Sequence, residues 1–197
     1  MTIPFRCCCG TLQGEIEPAA TYLRAVCYCR DCQAFARALD REHDVLDPNG
    51  GTDIVAMRPA GVRFTGGAEQ LACLSLSTKG LLRWHSACCH TPPANTPRDP
   101  KFPYVGVLAS CMAGEPGTLD AAFGPPRVAL NTGSARGEVA ATPVRTAIGV
   151  MRIMWGVLRA RLGERHRDNP FFDMATSQPA VEPRVLTRQE RAEVTGR

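Results

Sequence analysis

The sequence predicts a mainly β fold that is fixed by metal-bound cysteines, with a short helix inside it and an amphipathic helix near its C-terminus. Over residues 1–135, short apolar segments alternate with glycine and proline, which is typical of strands and turns. Eight of the ten cysteines lie in tight groups. A chain of 197 residues can bury a core without disulfides, and no apolar run reaches the ~18 residues that span a bilayer. We therefore expect a cytoplasmic protein in which grouped thiolates bind zinc.

The predicted sheet domain covers residues 1–135. Its strands are expected where apolar or β-branched residues run between turn signals, over residues 11–17, 22–27, 53–57, 62–65, 70–77, 81–86, 104–109 and 127–131. One short helix is expected to begin near Asp31, which can cap its N-terminus, and to continue through residues 32–39.

Residues 136–197 form a predicted C-terminal extension, and its main element is a helix over residues 144–162. Apolar side chains recur there at the spacing of one helix face: Ala147, Ile148, Met151, Met154, Trp155, Leu158 and Leu162. The opposite stripe is polar or small: Arg145, Gly149, Arg152, Gly156, Arg159 and Gly163. We expect the apolar face to dock on the sheet domain through Met151, Met154, Trp155 and Leu158. The alternatives are a membrane-surface helix and a homodimer contact.

The last part of the extension, residues 165–197, mixes proline, charged residues and one apolar anchor, Pro170-Phe171-Phe172. We expect it to wrap the surface as an irregular tail. The formal net charge of +4 also lies in the extension, because residues 1–135 carry twelve basic and twelve acidic side chains. So small a surplus, with few aromatic residues beside the arginines, argues against nucleic acid as a partner.

The strongest motif is Cys27-x-Cys29-x-x-Cys32, which runs from the end of a predicted strand into the short helix. Three sulfurs can converge there on one zinc ion, and three protein ligands leave the fourth position for water or substrate, which is the catalytic pattern. The neighbouring Arg24, Arg30 and Arg37 can offset the negative charge of three thiolates. The alternative is a fourth cysteine or histidine that closes the site and makes it structural.

A second group is split between Cys7-x-Cys9 and Cys88-Cys89. Together they supply the four sulfurs of a structural zinc site that joins distant parts of the chain. Adjacent cysteines on a strand point to opposite faces, which makes Cys88 the doubtful ligand. Ser86 stands where a C-x-x-C ligand is expected, which leaves His90 and Cys8 as alternatives. These cysteines could instead be buried free thiols.

Read in order, the chain carries Cys7-Cys8-Cys9-Gly10, Cys27-Tyr28-Cys29-Arg30-Asp31-Cys32 and Ser86-Ala87-Cys88-Cys89-His90-Thr91-Pro92. Over residues 7–110, this order and spacing resemble the C-x-C-G, C-x-C-x-x-C and C-x-x-C-G-T-P motifs of the glutathione-dependent formaldehyde-activating enzyme and centromere protein V family. The chain departs from that pattern at Ser86 and His90 and in its C-terminal extension.

The resemblance implies a zinc-binding β-tent domain with two zinc ions per chain. One is a structural zinc at Cys7, Cys9, Cys88 and Cys89, and the other is a catalytic zinc at Cys27, Cys29 and Cys32. It also implies carbon-sulfur lyase chemistry on an adduct of an aldehyde with a small thiol such as glutathione. The rival hypothesis is a non-enzymatic zinc-binding module that uses the same fold to bind a partner.

Overall fold

The computed structural model describes residues 2–112, 117–163 and 168–196, and in these residues the protein is mainly β, with thirteen strands and five α-helices. The strands are β1 (Ile3–Arg6), β2 (Gln13–Ile16), β3 (Thr21–Cys27), β4 (Thr52–Met57), β5 (Val62–Gly66), β6 (Leu71–Ser75), β7 (Leu82–Ser86), β8 (Ala94–Thr96), β9 (Val105–Leu108), β10 (Val128–Leu130), β11 (Phe172–Asp173), β12 (Gln178–Pro179) and β13 (Arg184–Val185). The helices are α1 (Arg30–Ala38), α2 (Glu42–Val45), α3 (Thr118–Phe123), α4 (Pro143–Leu162) and α5 (Arg188–Thr195).

Two sheets enclose the main core. The smaller has three strands in the order β1-β2-β5, and the larger has eight in the order β10-β3-β4-β9-β8-β7-β6-β13. All neighbours in the larger sheet are antiparallel except the two edge pairs, β10 with β3 and β13 with β6. Side chains from both sheets form one buried cluster, which includes Phe5, Ile16, Val55, Trp84 and Val107. The sheets are thus held together by apolar contact.

All eight predicted strand segments contain an observed strand, but the sequence missed two others in the same region. One is β1, which begins the smaller sheet, and the other is β8, which lies among prolines between Pro93 and Pro97. The short helix begins one residue earlier than expected. Cys29 caps α1, because its Sγ accepts a hydrogen bond from the Cys32 amide, whereas Asp31 lies in the first turn.

The tail is more ordered than the sequence predicted. β11 and β12 pair as a short antiparallel ladder, and β13 joins the larger sheet beside β6. A capping box between Thr187 and Glu190 begins α5. The anchor at Pro170-Phe171-Phe172 does reach the interior: Phe171 is fully buried, with its ring 5.2 Å from Trp84 and 5.6 Å from Phe64. The boundary drawn after residue 135 stays a prediction.

The helix expected over residues 144–162 is α4, but the expected docking face was wrong. Met151 is 71% exposed and Trp155 is 62% exposed, and Met154 and Leu158 also face solvent. The buried positions are instead Gly149, Val157 and Ala160. A Cβ added at Gly156 would lie 2.4 Å from the Tyr22 ring, and one at Gly149 would lie 2.8 Å from Leu23. The small-residue stripe therefore docks on β3, because only glycine permits such a close approach.

Candidate metal centres

Cys27, Cys29 and Cys32 form the first candidate centre, which we call the three-sulfur cluster. The end of β3 provides Cys27, the N-cap of α1 provides Cys29 and the first turn of α1 provides Cys32. Their sulfurs all lie within 4.8 Å of one another. In the described part of the chain, no fourth cysteine, histidine or carboxylate joins this group. A metal ion held there by protein ligands would keep a free coordination position.

The three-sulfur cluster favours one ionised thiol. Hydrogen bonds with the Cys29 and Cys32 thiols lower the pKa of Cys27 to about 2, and the Asn131 amide adds a contact of 3.5 Å from its Nδ2 atom to the Cys27 sulfur. The hydrogen bond with Cys27 correspondingly raises the pKa of Cys29 and of Cys32. The hydrogen bonds within the cluster thus favour an ionised Cys27, to which a divalent cation would be attracted.

Two side chains that the sequence analysis missed lie near this charge. Burial, together with the charges of Cys27 and Cys32, raises the pKa of Tyr104 to about 12, so its hydroxyl stays protonated. Arg83 is almost fully buried on β7, and its positive charge favours ionisation of Cys32. Its guanidinium lies 5.2 Å from the centre of the Phe35 ring, and its Nη1 atom donates to Asn95 over 3.3 Å.

Two of the three arginines that the sequence placed beside this motif have other partners, and the third, Arg30, is exposed. Arg24 pairs with Asp53 and Asp120, each at 2.7 Å, and Arg37 pairs with Glu42 at 3.3 Å. Arg83 is therefore the cation that acts on the three-sulfur cluster from inside the protein. No motif marks Arg83, which lies on β7, or Tyr104, which directly precedes β9, because both come from positions more than fifty residues further along the chain.

Cys7, Cys9, Cys88 and Cys89 form the second candidate centre, the four-sulfur cluster. The sulfur-to-sulfur distances are 3.4 Å for Cys7 to Cys9, 3.8 Å for Cys7 to Cys88, 3.2 Å for Cys9 to Cys88 and 3.8 Å for Cys88 to Cys89. Four sulfurs at about 2.3 Å from one tetrahedral zinc ion would lie about 3.8 Å apart. These separations are far too long for disulfides and suit ligands of one metal ion.

Cys88 can join this cluster because it does not lie on a strand. β7 ends at Ser86, and the two adjacent cysteines follow in a turn, so the alternation of strand side chains does not apply to them. Ser86 supports the turn from a buried position, since its Oγ accepts from the Thr91 amide at 2.9 Å and lies 3.3 Å from the Cys89 sulfur. His90 has a φ of 57°, the left-handed conformation that favours glycine.

Neither alternative ligand joins the four-sulfur cluster. Cys8 is exposed, and its sulfur accepts a hydrogen bond of 2.6 Å from the Arg41 guanidinium. The His90 ring packs against His85 with 5.9 Å between the ring centres.

Within the four-sulfur cluster, burial raises the pKa of Cys89, but hydrogen bonds with Ser86 and Thr91 lower it to about 4 overall. The remaining two cysteines, Cys73 and Cys111, are buried outside both clusters.

These features define a mainly β protein with two cysteine groups that could hold metal ions. The zinc identity and the stoichiometry stay predictions. No helix in residues 2–112, 117–163 or 168–196 is long and apolar enough to cross a membrane.

Comparison with known proteins gives a family for this chain. The model of a family of unknown function, DUF6151, matches residues 1–176, and the chain belongs to this family. No curated protein matches the chain. Among solved structures, a crystal structure of a Rhodobacter sphaeroides protein is similar at 20% sequence identity, with a TM-score of 0.40 over 59% of this chain and 94% of that one.

Proposed function

We propose that the protein is a zinc-dependent enzyme of the carbon-sulfur lyase type, acting on a small thiol-aldehyde adduct similar to S-hydroxymethylglutathione. The observation that carries this proposal is the three-sulfur cluster, in which three described cysteines approach one point without a fourth protein ligand among the described residues. The resemblance of the cysteine motifs to the glutathione-dependent formaldehyde-activating enzyme family suggests the substrate class, and it also suggests a β-tent fold.

The donor atoms of both clusters fit zinc. Thiolate-only sites select soft or borderline metals, and tetrahedral sulfur coordination is typical of zinc in proteins. The four-sulfur cluster fits a closed, structural site, since four protein ligands are enough for tetrahedral coordination. The three-sulfur cluster fits a catalytic site, because one position stays free for a ligand from solution.

In the lyase direction, the proposed reaction breaks the carbon-sulfur bond of a hydroxymethyl thioether. The hydroxyl proton passes to water as the carbonyl group of the aldehyde forms, and the departing sulfur takes up a proton from water. Bound zinc would supply a Lewis acid for the oxygen atom and would stabilise the thiolate.

The chain's own contributions to this reaction are Tyr104 and Arg83. The Tyr104 hydroxyl, which stays protonated beside the cluster, is the candidate hydrogen-bond donor to the departing sulfur. Arg83 offsets part of the negative charge of three thiolates, since its charge opposes the rise that hydrogen bonds with Cys27 and Cys29, together with burial, cause in the pKa of Cys32.

The test is acceleration of adduct exchange by zinc-loaded protein. Formaldehyde and glutathione equilibrate with their adduct spontaneously, so exchange between the NMR signals of free and bound species is compared with and without protein. Cys27→Ser and Cys29→Ser should abolish the acceleration, whereas Cys73→Ala should keep it, because Cys73 lies outside both clusters. Tyr104→Phe should lower the turnover rate while zinc content stays unchanged.

Rates equal to the uncatalysed control with several thiols and aldehydes, in protein shown to hold both zinc ions, would contradict the proposal. They would favour the rival function, a zinc-binding interaction module. Acceleration that survives in Cys27→Ser and Cys29→Ser would place the chemistry outside the three-sulfur cluster.

A further inference from the structure

The solvent face of α4 is a continuous apolar stripe. Its exposed members, which we call the α4 stripe, are Val144, Ile148, Met151, Met154, Trp155, Leu158 and Leu162. They recur at intervals of three, four and seven residues and therefore share one side of the helix. The opposite side is already used for docking, through Gly149 and Gly156 against β3. A contiguous patch of seven exposed apolar side chains on a folded surface is typical of an interaction site.

Arginines border the α4 stripe. Arg145, Arg152 and Arg159 are spaced seven residues apart, so they form one row, which lies between the α4 stripe and the glycine side of the helix. α4 contains four arginines and no acidic residue. This combination of an apolar face with basic borders and a tryptophan is the pattern of helices that lie in a membrane interface.

Two grooves run between this arginine row and the larger sheet. The first has a volume of about 600 Å³, and Arg58, Arg152 and Arg159 line it together with Trp155. The second has a volume of about 520 Å³, and Arg127, Arg145 and Arg152 line it together with Ile148. Arg24 also borders the second groove, but Asp53 and Asp120 neutralise it. Among the described residues, no carboxylate lines either groove.

We propose that α4 docks the protein on the surface of an anionic phospholipid membrane. Lipid phosphates would occupy the two arginine-lined grooves, and the α4 stripe would enter the boundary between headgroups and acyl chains, which such helices reach to a depth of about 5–10 Å. The helix lies on the membrane and does not cross it, because its glycine side stays packed on β3. This inference is independent of the proposed enzymatic function.

Charge complementarity favours a lipid surface over a second copy of the chain. A two-fold pairing through the α4 stripe would place the same surface on both sides of the contact. The arginine borders of the two helices would then approach each other, and neither α4 could supply a carboxylate to pair with them. An anionic lipid surface pairs with every arginine in the row and covers the apolar side chains at the same time.

The first experiment measures partition of the full-length protein onto vesicles. Vesicles of phosphatidylcholine alone are compared with vesicles that also contain phosphatidylglycerol, by flotation at low and high salt. We expect binding only to the anionic vesicles and weaker binding at high salt. Trp155 is exposed and Trp84 is fully buried, so a blue shift in tryptophan emission and quenching by brominated lipid would report insertion of Trp155.

Matched variants separate the two parts of the surface. Arg152→Gln with Arg159→Gln should lower the partition coefficient roughly thirtyfold, since each basic residue near an anionic surface contributes about a factor of five. Arg188→Gln with Arg191→Gln removes the same charge from the exposed face of α5 and should have little effect. Met151→Ser with Trp155→Ser should also reduce binding, whereas Leu81→Ser, at an exposed apolar position elsewhere, should not.

Three outcomes would overturn the membrane proposal. The first is no binding to anionic vesicles at low salt. The second is a dimer in sedimentation velocity that Met151→Ser with Trp155→Ser dissociates, which would assign the α4 stripe to a second copy of the chain. The third is binding of inorganic phosphate or soluble glycerophosphate to the grooves without any binding to vesicles.

Discussion

Replacing Cys89 by serine tests whether the four-sulfur cluster is a structural metal site, and Cys8→Ser is its matched control. The two residues lie at the same end of the molecule, and both sulfurs have polar neighbours: Ser86 for Cys89 and Arg41 for Cys8. Only Cys89 belongs to the group whose sulfurs lie within 4.8 Å of one another. The comparison therefore removes the same atom inside and just outside the cluster.

The expected loss of stability in Cys89→Ser follows from the two parts of the chain that the four-sulfur cluster connects. It joins Cys7 to Cys88, which are 81 positions apart, and so ties the N-terminal segment to the turn after β7. A structural zinc contributes about 10–16 kcal/mol of apparent binding free energy in small zinc domains, which is comparable with the total stability of a protein of about 5–15 kcal/mol. Weakening the site by only about 4 kcal/mol would lower Tm by about 8–16 °C in a chain of this size.

The control variants have distinct expected outcomes. Cys8 is exposed and outside the cluster, so Cys8→Ser should change stability by no more than about 0.5 kcal/mol, which is a Tm shift of about 1–2 °C. Cys32→Ser should lose the metal ion of the three-sulfur cluster and yet leave a folded chain. Cys27 and Cys32 are close in sequence and bridge no distant segments, so their site adds little to chain closure.

The assay combines metal analysis with thermal melts of protein purified without chelator. Wild type and Cys8→Ser should carry close to two zinc ions per chain, and Cys89→Ser and Cys32→Ser should each carry one or fewer. Only Cys89→Ser should also show the large fall in Tm. Equal losses in Cys8→Ser and Cys89→Ser, or two zinc ions retained by Cys89→Ser, would refute the assignment of the four-sulfur cluster.

Two further predictions concern stability and charge. Phe171→Ala should destabilise the protein by about 3–5 kcal/mol, because its ring is fully buried against Trp84, whereas Met151→Ala on the exposed α4 stripe should change stability by no more than about 0.5 kcal/mol. Urea denaturation followed by Trp84 fluorescence measures the free energy of unfolding of both variants. Similar losses of stability in both would contradict the docking of α4 described above. Arg83→Met should reduce zinc retention in the three-sulfur cluster without lowering Tm, because it removes a buried charge whose effect is to favour ionisation of Cys32. Zinc content equal to wild type during chelator competition would exclude this role for Arg83.

The central strands could be predicted from sequence because each combines a local pattern with clear turn signals. Val62 to Gly66, for example, follows Pro59 and Gly61 and ends at a glycine pair. β8 could not be predicted, since prolines flank its three residues and its strand character comes from pairing with β7 and β9. β11, β12 and β13 have two residues each, which is too short for any period to show.

The cysteine motifs indicated the two groups, but they left Cys88 open against Cys8 and His90 and did not show the surroundings of either group. Spacing along the chain places Cys29 at the N-cap and Cys32 in the first turn of one helix, which is a local property. Whether Cys88 can join the cluster depended on where β7 ends. If the strand continued for two more residues, the side chains of Cys88 and Cys89 would point to opposite faces of the sheet. Tyr104 and Arg83 reach the three-sulfur cluster through tertiary structure alone, and a single sequence contains no signal for that.

The orientation of α4 shows where a correct periodicity can still give a wrong contact. The pattern identified both faces, and we expected the larger apolar side chains to be buried because each contributes about 1.5–3 kcal/mol when removed from water. The helix instead docks through Gly149 and Gly156, although glycine inside a helix is less favourable than alanine by about 1 kcal/mol. The glycines are explained by the close approach of α4 to Tyr22 and Leu23. The exposed Met151, Trp155 and Leu158 are not explained by packing among the described residues, and the proposed docking of α4 on a membrane surface would account for them.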